Sequence, residues 1–517
     1  MSATADPGRD GPVIAQRPEP GAPRSYEFPA VSSHRMANGL SLMIVDLPGR
    51  PLISATMTIV GGAVEEPADK AGATVLAARA LTEGTERYDA IALVEATERL
   101  GASLHAEAGW DALHIGVEVA APRLAPALEL VAEALLHPTF PDSEVERLRD
   151  ERLNDLLQAK ADPRRRVDEA FVGTVYASGS PYHRPSGGTR ETVERLTAAD
   201  LRDVHARALD PSRATLVIGG ELGDQDVVGL VERLFGAWIA RDPAAGAPGP
   251  IADTPSPLGR VVRVIHRPGS VQTEIRIGHR GLPRRIDDFY AVSVMSAILG
   301  GLFNSRLNMK LREEKGYTYG AGAGFDMRRG AGPFSARAAV NTEVTVPAVL
   351  DTLAELTRIR DEPVTDGELA AARDFLIGVF PLRFETAGAV VGALGGLAVH
   401  GLGIDELVDY RSHVEAVDSA AITAAARSHL HVDDAAIVLV GDADAFGLAL
   451  EAAGLGTLSI ERDEAPPVGP TDASRPPGPI DDEEETGPTV GAEEPEIPGI
   501  DVEPVDVDPA GQEADRR

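Results

Sequence analysis

The sequence predicts an α+β fold of two homologous halves, each built from mixed, largely antiparallel sheets with helices packed on one face. Three observations carry that reading. One order of strands and amphipathic helices runs through residues 31–240 and then again through 259–460. The strands that close the two runs, ATLVIGGEL at 214–222 and AAIVLVGD at 435–442, are nearly the same, which implies duplication and one shared fold. Strands also come in pairs, without the strict strand–helix alternation of a doubly wound parallel sheet.

The first half opens with alternating strands at 38–47 and 51–63, the second ending on Gly61 and Gly62. Helices are expected from Lys70 to Leu81 and from Asp89 to Gly101, strands at Ser103–Gly109 and Asp111–Val119, and an Ala/Leu-rich helix from Pro122 to Leu136. The next helix starts with a capping box of Ser143 on Glu146 and stops at Pro163. A helix at 164–176, a loop at 179–189 and helices at Thr197–Ala208 and Gln225–Phe235 complete the half. Residues 241–258, rich in Pro, Gly and Ala, read as a linker. The second half then gives strands at 259–269 and 271–282, a helix at 289–300, a strand at 332–341 and helices at 345–359 and 365–384.

Residues 1–30 are expected to form a disordered leader and 461–517 an acidic disordered tail, because neither holds enough apolar surface to fold. The net charge is −32, of which about −14 lies after Ile460. An excess of this sign excludes nucleic acid as a partner, since phosphate binding needs clustered Lys and Arg. The chain has no cysteine, which removes disulfides, Cys–zinc sites and thiol catalysis. No signal-peptide pattern and no uncharged apolar run of membrane-spanning length occurs. A soluble, cytoplasmic protein without a membrane partner is therefore expected.

The most distinctive stretch is Gly300–Phe325, GGLFNSRLNMKLREEKGYTYGAGAGF. It reads as a short helix capped by Asn304 or Ser305, with Leu307 and Leu311 on one face and Arg312 in the last turn. Gly316 supplies the left-handed stop. Tyr317 and Tyr319 are then expected on one face of a strand that continues through Gly320, Gly322 and Gly324, residues too small to shield the backbone from something that comes close.

Of the twelve histidines, only His429 and His431 form a close pair in sequence, and a capping or surface role fits them better than a metal. His105 and His114 fall in adjacent strands, but no third ligand or general base is apparent, so they too read as structural.

The two-half plan, RPGSVQTEIRIG at Arg267–Gly278, the Gly300–Gly320 stretch and TDGELAAARDFLIGVFP at Thr365–Pro381 together resemble the pitrilysin/insulinase family of zinc peptidases. That resemblance implies a clamshell chamber and, in active members, an inverted zinc motif His-x-x-Glu-His on a helix ending in Gly-Thr, preceded by Gly-x-x-x-Glu. The flanks are present here as Gly62 with Glu66 and as Gly84-Thr85. Counting back puts Val75, Ala78 and Arg79 where His, Glu and His would stand, and the third-ligand position maps near Asp155 or, less well, Glu151. A lone carboxylate does not hold catalytic zinc, so no metal or cofactor is expected on this chain. What the resemblance leaves is an Arg and a Tyr that reach the substrate, Arg312 and Tyr319, with Tyr317, Gly320 and Gly322 as substrate-binding neighbours. It implies the zinc-less subunit of a heterodimeric metalloendopeptidase acting on peptides, with zinc on a homologous partner subunit. The alternative is an inert scaffold or peptide-binding protein of the same fold.

Overall fold

The computed structural model describes residues 25–239, 251–256 and 259–462. Alternation in 52–60 does what period-two patterning dictates: Ile53, Ala55, Met57 and Ile59 point into a core, while Ser54, Thr56 and Thr58 point to the other face. This strand, β3 (Leu52–Val60), sits inside a sheet with β1 (Ser32–Arg35), β2 (Ser41–Asp46), β4 (Ser103–Ala108), β5 (Ala112–Ala120) and β6 (Ala214–Gly220). The order is β1-β2-β6-β3-β5-β4, antiparallel throughout except for the parallel β2–β6 pair. Helices α1 (Ala73–Ala80), α2 (Ala90–Arg99), α3 (Leu124–Leu136), α4 (Asp142–Ala161), α5 (Pro163–Val175), α6 (Arg190–Val193), α7 (Ala198–Ala208) and α8 (Val227–Phe235) complete the half. The apolar sides of α1, α3, α7 and α8 and the start of α4 close the core against one face of the sheet.

The second half repeats the plan with β7 (Val261–His266), β8 (Gln272–Arg280), β9 (Ala321–Phe325), β10 (Pro333–Asn341), β11 (Ala436–Gly441) and β12 (Thr457–Arg462). Their order is β12-β7-β11-β8-β10-β9, so β3 and β8, β5 and β10, and the edge strands β4 and β9 occupy equivalent places. Its helices are α9 (Phe289–Ser296), α10 (Arg306–Asn308), α11 (Thr345–Asp361), α12 (Asp366–Val379), α13 (Ala387–His400), α14 (Asp405–Val408), α15 (Tyr410–Ala416), α16 (Ser419–His429) and α17 (Ala443–Ala452). No single helix among the described residues is long and apolar enough to cross a membrane.

The halves exchange helices. α5, from the first half, packs on β8 and β11 of the second sheet, burying Val167, Ala170 and Phe171 against Ile265, Val438 and Val440. α13, from the second half, packs on β3 and β6 of the first sheet, where Val390, Val391 and Leu394 meet Val45 and Val217. Gly395 brings its backbone onto Thr58, and a Cβ added there would lie 3.0 Å from Thr58 Oγ1. A buried clamp adds to this. Arg328, in the turn after β9, pairs with Asp326 and lies over Trp110 and Tyr182, 5.0 and 4.8 Å from the ring centres, while Asp111 accepts the Arg329 N–H at 2.7 Å.

Several boundaries differ from the sequence expectation. Of the expected linker, 251–256 is seated: Thr254 O accepts from Ala177 N, Ser256 N donates to Val175 O, and Asp253 takes the Arg280 guanidinium. Of the expected leader, 25–30 is seated too, because Tyr26 and Phe28 pack on Phe380 and Phe384 of the other half. The strand β12 runs two residues past the expected start of the tail. The rest of the leader, the linker and the tail lies outside the described residues. α4 begins at Asp142 on Pro141 without a side-chain cap, so the Ser143 box does not form.

Candidate functional site

Glu66 fixes the entry to α1. It is half-buried and its carboxylate accepts the backbone N–H groups of Gly72, at 2.9 Å, and Thr74, so it satisfies donors that no helical carbonyl can reach. Burial pushes its pKa up, against these hydrogen bonds and the Arg184 charge. On the helix so positioned, Ala78 is fully buried, Val75 half-buried and Arg79 exposed. Arg79 Nη2 lies 2.9 Å from Glu151 Oε2 on α4, and Glu151 also holds Arg147 at 2.6 Å. One turn further, Asp155 pairs with Arg152 and Arg165. Of the two carboxylates offered by the sequence, the structure thus sets Glu151 against Arg79. A guanidinium has no lone pair to give a metal, and both carboxylates are already neutralised by arginines. This residue set does not fit zinc at α1.

At the Gly300–Phe325 stretch, α9 ends in a π turn at Ala297–Gly301, and after a short non-helical link α10 runs on into a second π turn at Met309–Glu314. Ser305, not Asn304, caps α10, and Leu307 and Leu311 are buried as expected. Arg306 is anchored by a two-pronged ion pair to Glu368, at 2.6 and 3.0 Å, and Glu368 in turn closes the capping box of Thr365 at the start of α12. Asn308 ties the segment's two ends together: its side chain donates to Leu302 O at 3.2 Å and accepts from Ala321 N at 2.8 Å. Sequence reasoning missed Asn308 and Glu368, although the threonine–glutamate capping box was a signal for the second. Gly316, at φ +64°, ends the helix as expected, with Tyr317 N donating to Leu311 O.

The aromatic pair is placed differently from the expectation. The strand starts only at Ala321, so Tyr317 and Tyr319 lie in the irregular segment before it. Thr318 explains why: its hydroxyl donates to Gly320 O and accepts from Gly320 N, a local turn that competes with extended pairing. Tyr319 is 93 % exposed, whereas Tyr317 packs partly against the core. Arg312 is half-exposed, 3.4 Å from Glu313 and 4.5 Å over the ring of Phe303, itself an exposed aromatic. Gly320 and Gly324 face open space, while Gly322 lies against Gly300 and Arg337. Gly300 approaches β9 so closely that a Cβ would stand 2.1 Å from Ala323 N.

The histidines divide by their hydrogen bonds. His429 Nε2 lies 2.7 Å from Asp288, and His431 N donates to His279 Nε2, so this trio is structural. Among the described residues, His266, Asp442 and Asp444 bring potential ligand atoms close together. Nδ1 of His266, however, accepts the Ala443 N–H at 3.0 Å, so in the neutral ring the proton sits on Nε2, which faces Asp444 at 3.5 Å. A protonated nitrogen does not ligate, and Asp442 is engaged as the cap of α17. His105 and His114 do share one face of the first sheet, on β4 and β5.

Comparison with known proteins places this architecture. The profile of the insulinase family, peptidase family M16, matches residues 43–185, and that of the peptidase M16 inactive domain matches 195–376. The chain is similar to an uncharacterized zinc protease of Mycobacterium leprae, 26 % identical over 361 residues that span 70 % of this chain and 80 % of the relative. It is also similar to a non-peptidase homolog of Helicobacter pylori, 22 % identical over 387 residues, 74 % of this chain and 87 % of that one. The crystal structure of a peptidase M16 inactive domain from Pseudomonas fluorescens superposes with a TM-score of 0.74 at 25 % identity, covering 80 % of this chain and 98 % of that one. With matches through both halves, the chain belongs to the pitrilysin/insulinase family (M16), its residues 195–376 matching that family's inactive domain.

Proposed function

We propose that this chain is the non-zinc-binding subunit of a two-chain zinc metalloendopeptidase that acts on peptides. The observation that carries this reading is the Arg79–Glu151 ion pair, a cation and a spent carboxylate at positions that the resemblance maps onto the family's metal ligands. A homologous partner with an intact His-x-x-Glu-His helix would supply zinc and the general base. This chain would close the chamber and contribute Arg312 and Tyr319. Both present charge or hydroxyl to the outside of the chain, as groups that act on a substrate held by another subunit must. The guanidinium suits a peptide carbonyl or carboxylate, and the phenol suits an oxygen that gains negative charge in a tetrahedral intermediate. Edge strand β4 ends its sheet and offers unpaired backbone groups to an extended peptide.

The test is reconstitution with a partner bearing the zinc motif, followed by cleavage of an unstructured peptide. The mixture is expected to turn over and this chain alone is not; chelator-sensitive turnover by this chain alone would overturn the reading. The second reading, an inert scaffold or peptide-binding protein, is favoured by the similarity to the non-peptidase homolog of Helicobacter pylori. It wins if the mixture shows no cleavage beyond that of the partner alone.

A further inference from the structure

We propose that Phe303 is a positioning residue for Arg312: its ring holds the guanidinium by its charge and leaves the N–H groups for a second molecule. The proposal rests on the peptidase reading only for what those groups meet, which would be the substrate peptide. Cζ of Arg312 lies 4.5 Å from the centre of the Phe303 ring, inside the range over which an aromatic face attracts a cation. The ring is 68 % exposed and Arg312 half-exposed, so the pair sits at the surface, where another molecule can reach it.

The backbone under the ring is fixed on both sides. The Leu302 side chain is buried, its N–H donates to Ala297 O at 3.1 Å, and its carbonyl takes the Ser305 N–H at 3.0 Å and the Asn308 side chain at 3.2 Å. Ser305 is itself buried as the cap of α10. A ring with two side-chain torsions loses little freedom when held between such anchors. Arg312 is a long side chain with many rotamers, and the ring narrows them.

The kind of contact decides what is left to donate. Arg284 and Arg328 also lie over aromatic rings, but each gives N–H groups to a carboxylate, Glu406 at 2.9 Å and Asp326. Arg306, on the same segment as Arg312, spends its fork on Glu368. Among the described residues, Arg312 pairs only with the adjacent Glu313, 3.4 Å from Nε, and its two terminal nitrogens make no hydrogen bond. An aromatic face attracts the charge without using the planar fork, which still matches a carbonyl or carboxylate. Arg312 is thus held with its donors unspent, as a group that acts on another molecule must be.

The experiment has two arms, and because the ring is exposed its variants should keep the parent Tm. In the first, the full chain alone reacts with phenylglyoxal, and mass mapping follows the modification rate at Arg312. Phe303→Leu keeps apolar bulk and removes the ring, and should raise that rate about 2–5-fold, the factor for an exposed ring–cation contact. Phe303→Trp should keep the parent rate or lower it, since indole attracts cations best. Equal rates in the parent and both variants overturn the proposal. In the second arm, with the zinc-motif partner, Phe303→Leu should lower kcat/KM about 2–5-fold and Phe303→Trp should keep the parent value. Once Arg312→Ala is present, Phe303→Leu should have no further effect. An active mixture that Phe303→Leu leaves unchanged, or a loss that persists beside Arg312→Ala, also overturns it. If the mixture cleaves no peptide, the peptidase reading falls and the first arm still decides whether Phe303 holds Arg312.

Discussion

Arg79 on α1 and Glu151 on α4 face each other at 2.9 Å, each with 44 % of its side chain exposed. Half-exposed pairs of this kind contribute little, and Glu151 keeps Arg147 when Arg79 is removed. Arg79→Ala should therefore shift unfolding free energy by no more than about 1 kcal/mol in urea melts. A loss of several kcal/mol would show that the pair is a structural pillar and not a filled-in remnant.

For Arg312 and Tyr319 the expected effects are on activity and not on folding. Arg312→Ala and Tyr319→Phe should each leave Tm within the shift expected of a surface change, about 0.5 kcal/mol. In the reconstituted pair each should lower kcat/KM about 10–1,000-fold, the range for loss of one group that stabilises a developing oxyanion. Unchanged kcat/KM in an active mixture would return both residues to a surface role.

The Arg306–Glu368 pair is different, because the guanidinium is buried, with one nitrogen left without a partner. Arg306→Ala should cost about 3–5 kcal/mol, mostly from leaving Glu368 uncompensated. Burial alone would raise the Glu368 pKa, but the hydrogen bonds from Arg306 and Thr365 outweigh it and hold the carboxyl down at about 2. A depressed folded pKa means that the stabilisation is complete above the unfolded value of about 4.3 and is lost as pH falls toward 2. The Tm gap between parent and Glu368→Gln should thus narrow across that window and stay constant from pH 5 to 7.

Two glycines of one motif should behave oppositely. Gly300→Ala pushes a methyl into the backbone at Ala323 and should cost about 1–3 kcal/mol. Gly320→Ala meets nothing within 4 Å and should be near neutral. Paired denaturant melts separate packing from mere motif identity.

A protease site inserted between Ile239 and Ile251 should cut the chain without separating it. Val390, Val391 and Leu394 of α13 are fully buried, with Val45 and Val217 of the first sheet among their neighbours. At about 1.5–3 kcal/mol each, they rival the whole stability of an ordinary domain. The two pieces should co-purify and melt in one calorimetric transition, whereas two separate transitions would mean independent halves.

Much of this was legible in the sequence. The repeat from ATLVIGGEL to AAIVLVGD announced two matching sheets, since it is a local pattern. The helix exchange was not legible, because α13 is Gly- and Ala-rich without an amphipathic stripe and its contacts lie some 170–340 residues away in sequence. Tyr319 was read onto a strand because the alternation of glycines from Gly320 to Gly324 was extended one step too far, past the Thr318 turn.

The exchanged helices also set a timetable for synthesis. The first sheet is complete in sequence once β6 has emerged, yet the helix that covers its second face ends at His400. At about 5–20 residues per second, that sheet waits roughly 10–35 s on the ribosome with Val45 and Val217 uncovered. α5 waits longer, until β11 arrives to fill the centre of the second sheet. The native packing of both halves is thus completed only after β11 has emerged, so the order of synthesis leaves apolar faces of both sheets uncovered for most of the described length.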